Sequence, residues 1–349
     1  MTKVSIKMLA KKINLSPATV SAVLNGRGDE LRISKETQNR IWKEAKELGY
    51  RPNIYARRLR QQSKGNSATV IGILWPSVYS SELLVRFFDS IQNSILNEEI
   101  NVEIIYKPYR LSEIYKLEDV FKEHLFNGVI IVGATDKDIE YVSTVECSMP
   151  IVFFNRQNDK FGSVCIDNYK AGEKVAQLLS ARGHKSVGFV EPGLYSYNFS
   201  MRKIGFLDGC QKRGIAISPE HLIVETPDEQ GGRRSMEKLL QSASLPTVLF
   251  FLASSFLPGA YPILHKNGIR IPEDIEIICY SDMLSCKLMN PSVTVLDLPI
   301  EKMVKKCLFL ILDMINGQIQ DSVNIFEETY FIFRESCPGF PNGEQDWQQ

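Results

Sequence analysis

The side chains of this chain best suited to chemistry are hydrogen-bond donors rather than acids, bases or nucleophiles. Its four histidines, His124, His184, His221 and His265, stand at no metal-ligand spacing, and its seven cysteines include no C-x-x-C pair. No G-x-S-x-G, Walker or G-x-G-x-x-G sequence occurs. No catalytic residue, cofactor or metal is therefore expected, and the thiols are expected to be reduced and mostly buried. What stands out is "LSPATVSAVLNGRG", where the run from Ser16 to Asn25 carries no charge although lysine and arginine surround it. Ser16, Thr19, Ser21 and Asn25 can donate to phosphates, and Ala18 and Ala22 can meet thymine methyl groups.

The formal net charge of zero conceals an asymmetry. Residues 1–62 hold 14 Lys and Arg against 5 acids, a balance of +9, which leaves −9 for the remainder. A short basic head on an acidic body is the footprint of a polyanion-binding module attached to something that avoids polyanions. Phosphate neutralisation by flanking cations would supply affinity, while a neutral helix of small residues could approach base edges.

The elements that must position these groups follow from local signals. Ile6, Leu9, Ala10 and Ile13 fall on one face of a helix that presents Lys7, Lys11 and Lys12 outward, and Asn14 suits a tight turn after it. Ser16 can cap a second helix with Pro17 at its first position; Val20, Val23 and Leu24 face inward, leaving Pro17, Ala18, Ser21, Ala22 and Asn25 outside. A third helix follows the Ser34 cap, with Ile41, Ala45 and Leu48 inward. Three small helices with a short first turn make a helix-turn-helix over 1–50. Pro52 then breaks the third helix, Asn53 can cap a short helix within 51–62, and Leu59 sits among Arg57, Arg58 and Arg60 like an apolar wedge for a minor groove. Residues 63–67 form a polar linker.

"SIKMLAKKINLSPATVSAVLNG", "ISKETQNRIWKEAKELGYRPN" and "ARRLR" together resemble the head and hinge of the lactose-repressor and galactose-repressor family of bacterial transcription regulators. The resemblance implies contacts to DNA from Ser16, Pro17, Ala18, Thr19, Ser21, Ala22, Asn25 and Tyr50, and from the hinge residues Asn53, Ala56, Arg57 and Leu59. The chain departs from the family where larger polar side chains are common and Pro17, Ala18 and Ala22 stand instead. Its loop "GRGDELRIS" is also longer than usual.

From residue 68, apolar runs ("ATVIGIL", "NVEIIY", "NGVIIVG", "PIVFF", then "SVGFV", "TVLFF", "DIEIICY") alternate with amphipathic stretches such as 168–183 and 300–316. Continuous apolar runs imply strands covered on both faces, hence parallel sheets in βαβ units. The expected fold is an N-terminal all-α helix-turn-helix domain plus a doubly wound α/β core, which the resemblance makes two-lobed and similar to periplasmic binding proteins. The core spans 68–340, one lobe formed by about 68–165 and 297–325 and the other by 166–296 and 326–340, followed by a tail at 341–349.

The resemblance places Arg202, in "MRKIGF", where an arginine clamps effector oxygen atoms. It also points to Asn198, to Ser254 and Ser281 where aspartates are usual, to Asp282, and to an aromatic platform at Tyr79 beside Glu82. Arg156 and Asp167 fall in the crossover region first and at the ligand second.

The expected protein is a cytoplasmic, homodimeric repressor that binds a pseudo-palindromic double-stranded DNA operator. A small molecule in the cleft, a sugar or sugar derivative, would modulate it, and no membrane partner is expected. The alternatives are a small-molecule binding protein without DNA function, or a regulator whose cleft is inactive. An Arg27→Ala, Arg32→Ala double variant is expected to lose operator affinity and selectivity in a gel-shift titration; unchanged binding would show that the long loop contributes no contact.

Overall fold

A computed structural model describes residues 6–24, 27–48, 68–78, 81–122, 125–194 and 196–341. It divides into two units, 1–69 and 70–349.

In the first unit, α1 (Ile6–Lys12), α2 (Pro17–Leu24) and α3 (Lys35–Glu47) enclose Leu9, Ala10, Ile13, Val20, Val23, Leu24, Ile41 and Ala45. Asn14 takes a left-handed φ of 54°, and the Leu15 N–H reaches back to the Ala10 carbonyl at 3.0 Å, which closes α1 and turns the chain. Ser16 Oγ accepts the Thr19 N–H at 3.0 Å and Ser34 Oγ accepts the Thr37 N–H at 3.2 Å, so both expected caps form. The long loop is fastened to α3: Gln38 Nε2 donates to Asp29 Oδ1 (2.9 Å) and to the Ile33 carbonyl (2.8 Å), while Lys35 pairs with Asp29. Arg40 Nη2 donates to the Ile13 carbonyl at 2.8 Å and so ties α3 to the end of α1.

The second unit contains two six-stranded sheets. The first lobe is built from β1 (Thr69–Pro76), α4 (Ser81–Asn97), β2 (Val102–Tyr109), α5 (Glu118–Lys122), β3 (Gly128–Val132), α6 (Asp136–Thr144), β4 (Ile151–Phe154) and β5 (Gly162–Ile166). The chain then enters the second lobe with α7 (Asn168–Ala181), β6 (Val187–Pro192), α8 (Tyr197–Lys212), β7 (Leu222–Glu225), α9 (Glu229–Leu239), β8 (Val248–Phe251), α10 (Leu257–Lys266), β9 (Glu276–Tyr280), α11 (Leu284–Leu288) and β10 (Thr294–Asp297). It returns through α12 (Ile300–Ile315) and β11 (Asn324–Glu327) and crosses again to β12 (Tyr330–Ile332). The strand orders are β11-β5-β4-β3-β1-β2 and β12-β10-β9-β8-β6-β7. The pairings are parallel from β1 to β3, β4, β5 and β11 and from β7 to β6, β8, β9 and β10, whereas β12 runs antiparallel to β10.

The strands β5, β7, β10 and β11 do not stand out as apolar runs in the sequence because polar residues fall within them (GSVCI, LIVE, TVLD, NIFE), and β12 because it has only three residues. β7, β11 and β12 have only partly buried patterns, as three- and four-residue edge or near-edge strands do. β2 extends through Lys107 and Pro108, which an edge strand tolerates.

One helix crossing has a local cause. A methyl at Gly172 would stand 2.1 Å from the Arg202 carbonyl, and one at Gly205 would stand 2.0 Å from the Tyr169 carbonyl. Only the absence of side chains lets α7 and α8 touch backbone to backbone, which brings Asn168 beside Arg202.

At the other end of α7, the Glu276 carboxylate receives Arg182 Nε at 2.8 Å and lies 3.2 Å from His184 Nε2. Burial raises its pKa, but hydrogen bonds from His184, Arg182 and Cys337 outweigh that and hold it at about 2, against an ordinary 4.5. The stabilisation is therefore present above about 4.5 and is lost as the pH falls through about 2. Glu276→Gln is expected to destabilise the core by about 3 kcal/mol near neutral pH. Urea denaturation should show that deficit shrinking towards about pH 3, and an equal deficit at both pH values would refute the assignment.

Candidate functional site

The exposed surface of α2 is its N-terminal half. Ser16, Pro17 and Ala18 are exposed and Thr19 and Ser21 are half-buried, with Ser16 Oγ 2.8 Å from Thr19 Oγ1. Lys11, Arg27, Arg32, Lys43 and Lys46 of the same unit are exposed as well. Ala22 departs from expectation: it is 2% exposed in the last turn of α2, where the Arg27 N–H bonds to its carbonyl at 2.9 Å. Its small size answers to packing and not to a groove. Asn25, Tyr50, Asn53, Ala56, Arg57 and Leu59 lie outside the described residues.

In the core, a cavity of about 190 Å³ opens where the carboxyl ends of strands from both sheets meet. The first lobe contributes Val132 and Gly133 at the end of β3 and Phe154 and Asn155 at the end of β4; the second contributes the ends of β8 and β9 with the turns after them and the first two turns of α8. Arg202, Asn198, Ser254 and Ser281 all line it. Tyr79 lies outside the described residues.

Arg202 is 1% exposed, and its guanidinium lies 3.3 Å from the centre of the Tyr280 ring while Nη2 donates to Asn168 Oδ1 at 2.6 Å. Burial pushes the Tyr280 phenol pKa up, against the pull of that guanidinium. Asn198 Nδ2 donates to the Asn155 carbonyl at 2.7 Å, a direct bond between the lobes beside the cavity.

Asp282 is a correction. It does not line the cavity: Ser281 takes a left-handed φ of 70°, which keeps Ser281 at the wall and sends the Asp282 carboxylate to Arg334 (2.8 Å) and Lys287 (3.2 Å). Glu82 accepts from the Ser285 N–H (3.3 Å) and hydroxyl (3.2 Å), and Asp167 caps α7 through the Lys170 N–H. Arg156 stacks on Tyr197 at 3.8 Å and pairs with Asp136. Sequence reasoning did not find Asn155, Phe154, Tyr280 or Phe199 as lining residues; each follows a strand end or sits on a helix turn, but only the pairing of strands brings them to one place.

A second bond between lobes dominates the rim. Arg86 on α4 forks onto the fully buried Asp297 at 3.1 and 2.8 Å, bonds Glu301 at 2.6 Å, and donates to the Asp282 carbonyl at 3.1 Å. Burial works against the charged guanidinium, yet its bonds to Glu301 and Asp297 raise its pKa overall.

A capped helix-turn-helix with a cationic surround, and a two-lobed core whose cavity sits at strand carboxyl ends, define a DNA-binding regulator with a ligand-binding module. The description "Bacterial regulatory proteins, lacI family" matches residues 5–53, and "Periplasmic binding protein-like domain" matches residues 176–337. A LacI family transcription regulator of solved structure from Clostridium acetobutylicum is 30% identical, with a TM-score of 0.73 over 76% of this chain and 99% of that one. The HTH-type transcriptional repressor MelR of Bacillus subtilis (strain 168) is 28% identical over 353 residues, 96% of this chain and 97% of the relative. The lac repressor dimer bound to operator and the anti-inducer ONPF shares the fold at 19% identity, with a TM-score of 0.68 over 96% of this chain and 99% of that one. The chain belongs to the LacI family of bacterial transcription regulators, a family of DNA-binding proteins and not of enzymes.

Arg86→Ala leaves a carboxylate buried at Asp297 with less than its full set of partners and is expected to destabilise the core by about 3 kcal/mol in chemical denaturation. Asp297→Asn in the same background should recover part of that loss; an additive loss would show that the pair is not coupled.

Proposed function

We propose that this protein is a cytoplasmic, homodimeric repressor that binds a pseudo-palindromic operator and that a small molecule in its interlobe cavity changes its affinity for DNA. The observation that carries the ligand reading is the cavity wall itself. Ser281 is 7% exposed and lines the cavity, yet its hydroxyl has no hydrogen-bond partner among the described residues. A buried hydroxyl left unsatisfied is expected where a ligand completes the site. Apolar walls with a few convergent donors suit a compact ligand, and a sugar or sugar derivative is within that size class.

The dimer is supported by apolar side chains left in water. Val85 and Leu96, three turns apart on α4, are 57% and 65% exposed, and Tyr106 on β2 is also exposed. The lac repressor, which shares this fold, is a dimer on its operator. Among the described residues no helix is long and apolar enough to cross a membrane. The DNA sites proposed on α2 are Ser16, Pro17, Ala18, Thr19 and Ser21, with the cations beside them gripping phosphates.

Selection from a randomised duplex pool should return two half-sites about one helical turn apart. The affinity for the selected site should fall by about 10³-fold or more between about 50 and about 200 mM salt. A pool that returns no preferred sequence, or an affinity that is flat with salt, would refute the reading.

A further inference from the structure

The chain passes between the lobes three times, at 166–168, 297–300 and 327–330. Two lobes joined by short connections can swing, because a few backbone torsions in those connections absorb the motion. Here each crossover is spanned by side chains that bond residues before it and after it. At the first, Asn155 Oδ1 on the first lobe accepts the Ile166 N–H at 3.3 Å, and Asn198 Oδ1 on the second accepts from Asn168 Nδ2 at 3.3 Å. The Asn198 Nδ2 bond to the Asn155 carbonyl, at 2.7 Å, joins the two asparagines and so closes a ring around Asp167. At the third, Lys302 on the first lobe pairs with Glu327 at 2.7 Å, and Lys174 on the second donates to the Thr329 carbonyl at 2.8 Å.

The second crossover is held by a single side chain. Arg86 forks onto Asp297, the last residue of β10, and also bonds Glu301 on the first turn of α12 through Nε at 2.6 Å and Nη2 at 2.9 Å. Leu298, Pro299 and Ile300 lie between the two carboxylates, so the guanidinium staples both ends of the connection. Tyr330, just past the third crossover, donates to Asp297 Oδ2 at 3.4 Å, and one carboxylate therefore gathers two crossovers. Glu82, one turn before Arg86 on α4, adds its bonds to Ser285 of the second lobe. Asp297 is fully buried, and a swing of the lobes that parted it from Arg86 would leave its charge unanswered.

We infer that Arg86 is a positioning residue that clamps this crossover, so that the angle between the lobes is set by the chain's own bonds. Lysine keeps the charge but lacks the planar fork that reaches two carboxylates at once. Arg86→Lys therefore releases the clamp with the least damage to the fold.

The test uses the full chain and no ligand, so its outcome is independent of what the cavity binds. Dyes are placed through unnatural residues at the exposed Asp119 of the first lobe and Gln241 of the second, and the labelled chain is diluted into unlabelled chain. Single-molecule energy transfer should show one narrow distance for the wild type and a second population for Arg86→Lys and Arg86→Gln. Hydrogen exchange on the same variants separates a clamp from general support of the fold. Amides in 281–286 and 297–303 should exchange about 10-fold or more faster than in the wild type, while those of β3 and β8 keep their protection.

A wild-type chain that already samples two distances, or an Arg86→Lys chain that keeps the single wild-type distance, overturns the clamp. So does equal loss of protection in β3, β8 and the crossover segments, which would make Arg86 a support of the whole core.

Discussion

The core depends on one constraint: a charge taken out of water must be answered nearby. Arg86 and Asp297 meet it between the two lobes, since the guanidinium comes from α4 of the first and the carboxylate from β10 of the second. Neither group would be tolerated where it is without the other. The pair therefore sets the separation of the lobes at the rim, and the Asp282 backbone, bonded to both, inherits its place from them. Ser281, one residue earlier, stands at the cavity wall for the same reason.

Arg202 meets the constraint differently. Its guanidinium lies on a tyrosine face and donates to an amide, contacts that hold it in one plane. Two glycines fix this arrangement, because Gly172 and Gly205 permit the backbone contact that brings Asn168 and Arg202 together.

In the head, the buried and exposed sides of α2 are made of different residues. The buried stripe of α2 holds the three helices together, and its neutral N-terminal half is left to face outward. Ser16 caps α2 from that exposed end. Several of the cations around it are partly engaged within the domain: Lys35 with Asp29, Lys12 with Glu44, and Arg40 with a carbonyl.

The sequence by itself determined what depends on neighbours in the chain. The Ser16 and Ser34 caps, the left-handed Asn14, the period of the helical stripes and the alternation of apolar runs with amphipathic helices all involve residues within a turn or two of each other. A local signal is enough for these. Arg202 was also legible, through its motif. The tertiary structure decided what depends on distant residues: that Ala22 is covered, that Asp282 turns to Arg334 while Ser281 stays at the wall, and that Asn155 and Tyr280 share a cavity. It also decided that three- and four-residue segments such as β7, β10 and β11 are strands, because a short strand exists only through its pairing. Packing and pairing join residues a hundred or more positions apart, and no local pattern encodes which of two faces such a residue will find.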